Sequence, residues 1–582
     1  MKTKSFQHRI RFIFGAFVLF ALVMLVRLYF LQIVHGEYYS DKANSQYVNV
    51  VNDTFDRGSI FFTSKDGTEV TAAGLQSGYT VAINNTVMAT DTDEYYAKLS
   101  AILPLDKADF YAKAAKTGAV YNVIADKVPE DQVQKIDALN LPGVVIAKEK
   151  WRYYPGSDLA SRVIGFVAYD DTGTNLVGRY GLENYYDSTL SRNDSNVTMN
   201  TFAGLFSDIR DNFLGHDESE GDVVTGIDPE VQGFVEKEIA AANAKWHSAE
   251  TGAIVIDPAS GQIDAMGMYP NFNLNDFRNQ TDVSIYADPL VSNAYEMGSI
   301  VKPLTLAAGI DSGAVTATTT YDDTGSITVD GKTIHNFDGK ARGIIPLQVV
   351  INESLNVGAS FIATKMGKPT MLDYFQAFGL GQETGIDLPD EAAGDISNLV
   401  DNLNNQKQVE YDTASFGQGI SMTPIDTVRA LCILANGGKV VTPHVASKID
   451  YLTGLSKTVD DSDNAVEVLK PSTVETVTKM LVTYVDTSLS AVNPNAKIAH
   501  YSVAAKTGTA QIARPAAEGS GYYPDQYLHS FFGYFPAYHP RFLVFLYTYK
   551  PQGVNYASQT LTDPFFDIAR FLINYYEIPP DR

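Results

Sequence analysis

One apolar run near the start of the chain limits what it can become. From Phe12 to Val26 every residue is apolar or small, and after Arg27 the run resumes to Val34, 23 residues in all. As a helix that length crosses the hydrocarbon core of a bilayer, with Arg27 able to snorkel to the outer headgroups. Lys2, Lys4, Arg9 and Arg11 precede it with no acidic residue among them, which places residues 1–11 on the cytoplasmic side. A cleaved signal peptide fits poorly, because the run is long and no small-residue cleavage site stands before His35-Gly36-Glu37. No second run of comparable length follows. The expectation is a single-pass anchor over 12–34, with everything from 35 to 582 outside the membrane.

That outer part is too long for one core. Arg57-Gly58-Ser59-Ile60-Phe61-Phe62 reads as a turn into a strand. Segments 78–85 and 119–125 alternate like short strands, and 93–115 carries helical spacing. A further short helix is expected over 129–139, opening at Pro129-Glu130-Asp131. Near Gly221 the texture changes. A strand over 222–228 leads to a helix begun by Pro229, whose Val231, Phe234, Val235 and Ile239 recur at helical spacing. GAIVIDP and QIDAMGM then form a hairpin about Ala259-Ser260-Gly261. Far downstream HSFFGYFP and RFLVFLYTY form another antiparallel pair, and Pro564–Tyr576 closes with an amphipathic helix. Strands at both ends with helices between predict an antiparallel sheet whose first and last strands meet. The chain thus divides into 35–220, a mixed module without a catalytic cluster, and 221–582.

Composition removes several functions. Lys plus Arg number 44 against 68 Asp plus Glu, a net charge of −24, which repels phosphate backbones and argues against nucleic acid as a partner. The one cysteine, Cys432, lies in an apolar run and reads as buried packing, so a disulfide framework or a Cys zinc site is excluded. Nine scattered His without His-Glu-x-x-His offer no metal centre, and the GxxxxGK[ST] and GxGxxG nucleotide cradles are absent.

The chemistry gathers in three short motifs. Ser299-Ile300-Val301-Lys302 opens an apolar segment, and residues three apart on a helix share a face, so Lys302 reaches the Ser299 hydroxyl. A lysine serves as base only when its pKa is depressed, which burial and a neighbouring cation both achieve. S-x-x-K alone is weak evidence and fits a capped surface helix, yet it occurs once in this chain. Ser354-Leu355-Asn356 lies 55 residues later, and Lys506-Thr507-Gly508-Thr509 lies 207 residues after Ser299 in a run that alternates like a strand. Lys506 would supply the second cation, Ser354 a proton relay and Asn356 a hold on a substrate amide. Thr507 and Thr509 offer hydroxyls to a carboxylate, and Gly508 lets a substrate backbone come close. Lys116-Thr117-Gly118, Ser191-Arg192-Asn193 and Ser462-Asp463-Asn464 imitate parts of the set. Only Ser354 both precedes a helix and falls in order between the other two motifs.

Together the three motifs resemble the signature of penicillin-binding proteins and serine β-lactamases. The chain looks like a class B, monofunctional member, a peptidoglycan DD-transpeptidase. VRLYFLQIV, Arg57–Ile60, Tyr153–Ser157, Gly178–Glu183, GAIVIDPASGQIDAM, SFGQGISMTPID and KTGTAQ extend the likeness over nearly the whole chain. No glycosyltransferase-like domain separates anchor from pedestal, and no PASTA-like pair fits after residue 550. Met297 replaces the family's usual Pro, Leu355 the middle Ser of Ser-Ser-Asn, and FFTSKDG the common Asp-Arg-Asn-Gly.

The resemblance implies an α+β protein. It would comprise a membrane helix, an elongated α+β pedestal over 35–220 and a penicillin-binding, serine β-lactamase-like transpeptidase domain over 221–582, an antiparallel sheet flanked by helices. By similarity Ser299 is nucleophile, Lys302 base, Ser354 and Lys506 the proton relay, and Asn356 the group positioning the peptide. The amides of Ser299 and Thr509 would form an oxyanion hole, and Thr507 and Thr509 would bind the carboxylate beside Gly508. No cofactor or metal is implied. Implied partners are peptidoglycan stem peptides on lipid-linked or nascent strands, β-lactam antibiotics, a polytopic glycosyltransferase of the SEDS type and division proteins. The implied location is the bacterial cytoplasmic membrane, with the catalytic domain outside. SFGQGISMTP and HSFFGYFPAYHPRF look more like the septal, FtsI-like branch than the elongation type. A DD-carboxypeptidase or β-lactamase-like hydrolase and a non-catalytic division scaffold are the competing readings.

Overall fold

In the computed structural model, residues 56–192 and 220–582 are described, apart from 89, 90, 117, 174, 406, 461, 463 and 464. The expected tail and anchor, residues 1–34, lie outside them. No helix among the described residues is long and apolar enough to cross a membrane.

The described residues form two compact units, Gln76–Trp151 in one and Asp56–Leu75 with Arg152–Arg582 in the other. In the smaller unit the end of the strand Glu69–Ile83 pairs antiparallel with Asn122–Val128. The continuous helical spacing over 93–115 resolves into two helices, Thr92–Ser100 and Lys107–Ala114. Pro104 cannot donate to a continuing helix, and Asp106 starts the second one by accepting from the Asp109 amide. Tyr95, Leu99 and Phe110 from this pair pack with Val81, Ile83, Ile124, Val133 and Ile136 into a separate core.

The larger unit is built on a five-stranded antiparallel sheet in the order Ala504–Ala513, Tyr522–Phe535, Phe542–Tyr549, Glu250–Ile256, Ile263–Tyr269. Phe545 stands opposite Ile254, so strands from the two ends of the 221–582 segment do meet. Ala253–Ile256 and Phe542–Tyr547 are fully buried without alternation, as strands covered on both faces must be. The helices Pro229–Trp246 and Thr562–Tyr575 pack together through Phe234 stacked on Phe571, ring centroids 4.2 Å apart. Lys302–Asp311, Asn356–Met366 and Pro471–Thr483 form a second helical group.

Residues far ahead of position 221 also belong to this unit. Ile60–Thr63 runs parallel to Gly221–Thr225, which pairs with Ala446–Tyr451. Arg57, 2 % exposed, donates to Glu183 and Asp187, both at 2.7 Å, while Arg152 holds the other Glu183 oxygen at 2.6 Å. A buried carboxylate with two guanidinium partners has its charge compensated where water cannot reach it.

Candidate active site

Ser299 lies in a 3-10 turn, Gly298–Val301, that leads directly into the helix Lys302–Asp311. Pro303 in the first helical turn sacrifices no hydrogen bond, since those amides lack intrahelical acceptors. In a 3-10 turn residues three apart eclipse one another, and the Lys302 Nζ lies 3.0 Å from Ser299 Oγ. The turn is wedged in place. Gly298 has a φ of +66° and donates its amide to the Gly417 carbonyl at 3.0 Å. A Cβ on Gly298 would stand 3.0 Å from the Thr509 backbone, so glycine is what lets the turn approach that strand.

Lys302 is 1 % exposed. Its Nζ also reaches the Ser354 carbonyl at 2.5 Å, Asn356 Oδ1 at 2.8 Å and Ser354 Oγ at 3.2 Å. Ser354 adopts a left-handed conformation, φ +55°, just before the helix Asn356–Met366. The Asn356 amide is oriented by its Nδ2, which donates to the His335 carbonyl at 3.0 Å. Burial pushes the Lys302 pKa well below that of a free lysine, and the nearby Lys506 cation pushes it the same way. The neutral amine has two protons to give, and two of its neighbours, the Ser354 carbonyl and Asn356 Oδ1, can only accept. Its lone pair is then left for the hydroxyls.

Lys506 is fully buried on Ala504–Ala513, an edge strand paired only with Tyr522–Phe535 among the described residues. Its Nζ lies 3.2 Å from Ser354 Oγ and 2.9 Å from the Thr507 carbonyl. Burial brings its pKa down to about 7. The Ser354 hydroxyl therefore lies between two amines that each titrate below the ordinary lysine range. Thr507 Oγ1 is 3.0 Å from the Tyr484 hydroxyl, and Thr509 Oγ1 accepts from the Ala557 amide at 3.1 Å. Gly508 is packed so closely that a Cβ would come 2.2 Å from Ser530 Oγ and 2.7 Å from the Met297 carbonyl.

The structure thus gathers Ser299, Lys302, Ser354, Asn356 and Lys506 into one hydrogen-bonded cluster, with Thr507, Gly508 and Thr509 on the strand beside it. The imitating motifs are elsewhere. Lys116 is exposed on the smaller unit, Ser191 accepts from Arg57 at 3.0 Å, and Asp463 and Asn464 lie outside the described residues. Sequence reasoning missed two neighbours. One is Tyr484. The other is Glu296, whose Oε1 accepts from the Gly419 amide and the Tyr522 hydroxyl, both at 3.1 Å, and whose carboxyl burial pushes up to about 6. Neither carries a spacing signal, because each reaches its partners across more than 20 residues of chain. Cys432 is buried, as its apolar run implies, and burial raises its thiol pKa far above the ordinary range.

Two families match the chain: "Penicillin binding protein transpeptidase domain" over residues 251–569 and "Penicillin-binding Protein dimerisation domain" over 56–204. Stage V sporulation protein D of Bacillus subtilis is 29% identical over 567 residues, covering 96% of this chain and 84% of that protein. The peptidoglycan D,D-transpeptidase FtsI of Escherichia coli K12 is 27% identical over 495 residues, 84% of this chain and 78% of that one. Among solved structures, Penicillin Binding Protein 2X from Streptococcus thermophilus superposes with a TM-score of 0.72 at 19% identity, covering 90% of this chain and 80% of its own, a likeness of fold.

Proposed function

The chain belongs to the penicillin-binding proteins with a transpeptidase domain, and from that premise we propose that it is a serine D-Ala-D-Ala transpeptidase of peptidoglycan. The observation that carries the reading is the Ser354 hydroxyl, 3.2 Å from both lysine amines, with Ser299 3.0 Å from the first of them. Neutral Lys302 takes the Ser299 proton as Oγ attacks the carbonyl carbon of the penultimate D-Ala. The amides of Ser299 and Thr509 receive the developing oxyanion. Ser354 passes a proton, resupplied from the lysines, to the departing amine, and terminal D-Ala leaves as the acyl-enzyme forms. The amine of a second stem peptide then attacks the ester, gives up a proton along the same path and frees Ser299. Asn356 holds the peptide amide, and Thr507, Gly508 and Thr509 receive the donor's carboxylate end along the open strand edge. β-Lactams follow the first half of this path, but ring opening leaves their amine tethered in the site.

The same reading places residues 12–34 in the bacterial cytoplasmic membrane, with 35–220 as pedestal and 221–582 as catalytic domain outside. Septal wall synthesis, beside a SEDS-type glycosyltransferase and division proteins, is the role that the FtsI-like stretches favour.

Labelling of the full chain with a fluorescent penicillin, followed by intact mass over hours, tests this. A stoichiometric adduct that persists, and that Ser299→Ala abolishes, is the expected result. An adduct that hydrolyses within seconds would replace the transpeptidase with a hydrolase, and no adduct on folded protein would leave a scaffold.

A further inference from the structure

The helix Pro471–Thr483 does not simply stop. It widens into a π-helical segment, Tyr484–Leu489, a local irregularity that recurs at functional sites. The segment is pinned from outside by Arg582, whose guanidinium donates to both Asp486 oxygens at 2.5 and 2.8 Å. Its first residue, Tyr484, is 5 % exposed and points at the 504–513 strand. The hydroxyl meets Thr507 Oγ1 at 3.0 Å, and the ring centroid lies 5.0 Å from the Lys506 Nζ.

Each contact meets a need of its neighbour. A threonine hydroxyl has a single proton, and it binds an anion only when that proton is not already donated elsewhere. Thr509 meets this condition, because its Oγ1 accepts from an amide that can only donate. At Thr507 the partner is a phenol, a better donor than an alcohol, and burial raises its pKa to about 12, so it keeps its proton at neutral pH. Lys506 has no ion pair among the described residues. The titratable groups that face it are the Lys302 amine and Tyr484.

We propose that Tyr484 is a positioning residue of the transpeptidase site, acting through Thr507 and Lys506. Its hydroxyl donates to Thr507 Oγ1, so that both threonine protons point at the substrate carboxylate, and its ring face takes the place of a counter-ion for Lys506. The proposal rests on reading the 504–513 strand as the carboxylate-binding edge.

Two variants separate the two contacts. Tyr484→Phe keeps the ring and removes the hydroxyl. It is expected to raise the half-saturation concentration for penicillin acylation about three- to tenfold, with the limiting acylation rate and the pH profile unchanged. A penicillin methyl ester, with no carboxylate to recognise, should show no difference between this variant and the parent. Tyr484→Leu removes the ring as well, and the high-pH limb of acylation efficiency, where Lys506 loses its proton, should move down by about one pH unit. An unchanged half-saturation concentration in Tyr484→Phe, or an equal loss with the ester, overturns the hydroxyl's role. An unmoved limb in a folded Tyr484→Leu overturns the ring's role, and if that variant does not fold, Tyr484→Phe decides the proposal alone. A parent chain that no penicillin acylates would overturn the reading of the site itself, a failure distinct from unresponsive variants of an active parent.

Discussion

Lys506→Met tests the electrostatics of the site through stability. The amine is fully buried, hydrogen-bonded to Ser354 Oγ and the Thr507 carbonyl, and its pKa falls from 10.5 to about 7 through burial. At about 1.4 kcal/mol per pH unit, that fall corresponds to roughly 5 kcal/mol of destabilisation when the lysine is protonated in both folded and unfolded chains. Below pH about 7 both states hold the proton, and the cost is present in full. Between about 7 and about 10.4 the unfolded chain binds more protons, so the parent gains stability as pH rises, and above that range the cost has vanished. Methionine carries no charge at any pH, but it leaves the Thr507 carbonyl and Ser354 short of a donor, a loss of about 1–3 kcal/mol. Lys506→Met should therefore be more stable than the parent by about 2–4 kcal/mol at pH 6.5, and the advantage should shrink steadily and reverse at about pH 9. Removing Lys506 also relieves Lys302 of a neighbouring cation, which adds to the low-pH advantage. Urea unfolding of parent and variant, followed by near-ultraviolet circular dichroism from pH 6 to 10, measures the difference and cancels ionisations common to both. A difference that stays constant with pH would refute the claim that burial holds this amine near neutrality.

Gly508→Ala should lower penicillin acylation efficiency by roughly a hundredfold, because its Cβ would collide with the Met297 carbonyl, which rotamer change cannot move; stopped-flow labelling would show it with the fold intact. Arg57→Ala should cost about 3 kcal/mol in urea unfolding, since it removes one of the two guanidinium partners of fully buried Glu183. Asp264 has an Oδ2 without a hydrogen-bond partner among the described residues and a pKa held well above the carboxylate range, first by burial and then by Asp257 and Asp228 against Arg541. Its unfolded form releases a proton first, so stability falls as pH rises above about 4. Asp264→Asn should raise the melting temperature at pH 7 and leave it unchanged near pH 3.

Legibility in the sequence followed the range of the interaction. The buried hairpin over 250–269 and its pairing with 542–549 were readable, because a run such as GAIVI carries no alternation and therefore needs cover on both faces. The helical spacing over 93–115 did not show where the chain breaks, because apolar spacing persists through Pro104 while the local cap at Asp106 starts a second helix. At the site, the order of three motifs was enough to bring Ser299, Ser354 and Lys506 together, although the left-handed turn that aims the Ser354 carbonyl at Lys302 shows in no residue type. Tyr484 and Glu296 could not be found, since aromatic and acidic residues near helix ends are common and only the packed chain shows what they touch.

The charge of the site follows a different logic from that of the chain. The protein carries −24 overall, yet two lysines lie buried at the candidate site, and neither has an ion pair among the described residues. Two ammonium groups cannot both stay charged so close together in such a place. Lys302, next to Ser299 and pushed down by burial and also by the Lys506 cation, gives up its proton first, and Lys506 titrates near neutrality. A carboxylate arriving at Thr507 and Thr509 would supply the missing anion and favour the protonated form of Lys506, with less effect on an amine held on the Ser299 side. Under the proposed function, the substrate's own charge would thus complete the pair, keeping Lys506 protonated as the acid beside Lys302 as the base, and a ligand without that carboxylate would find the base in place but the acid only partly protonated near neutral pH.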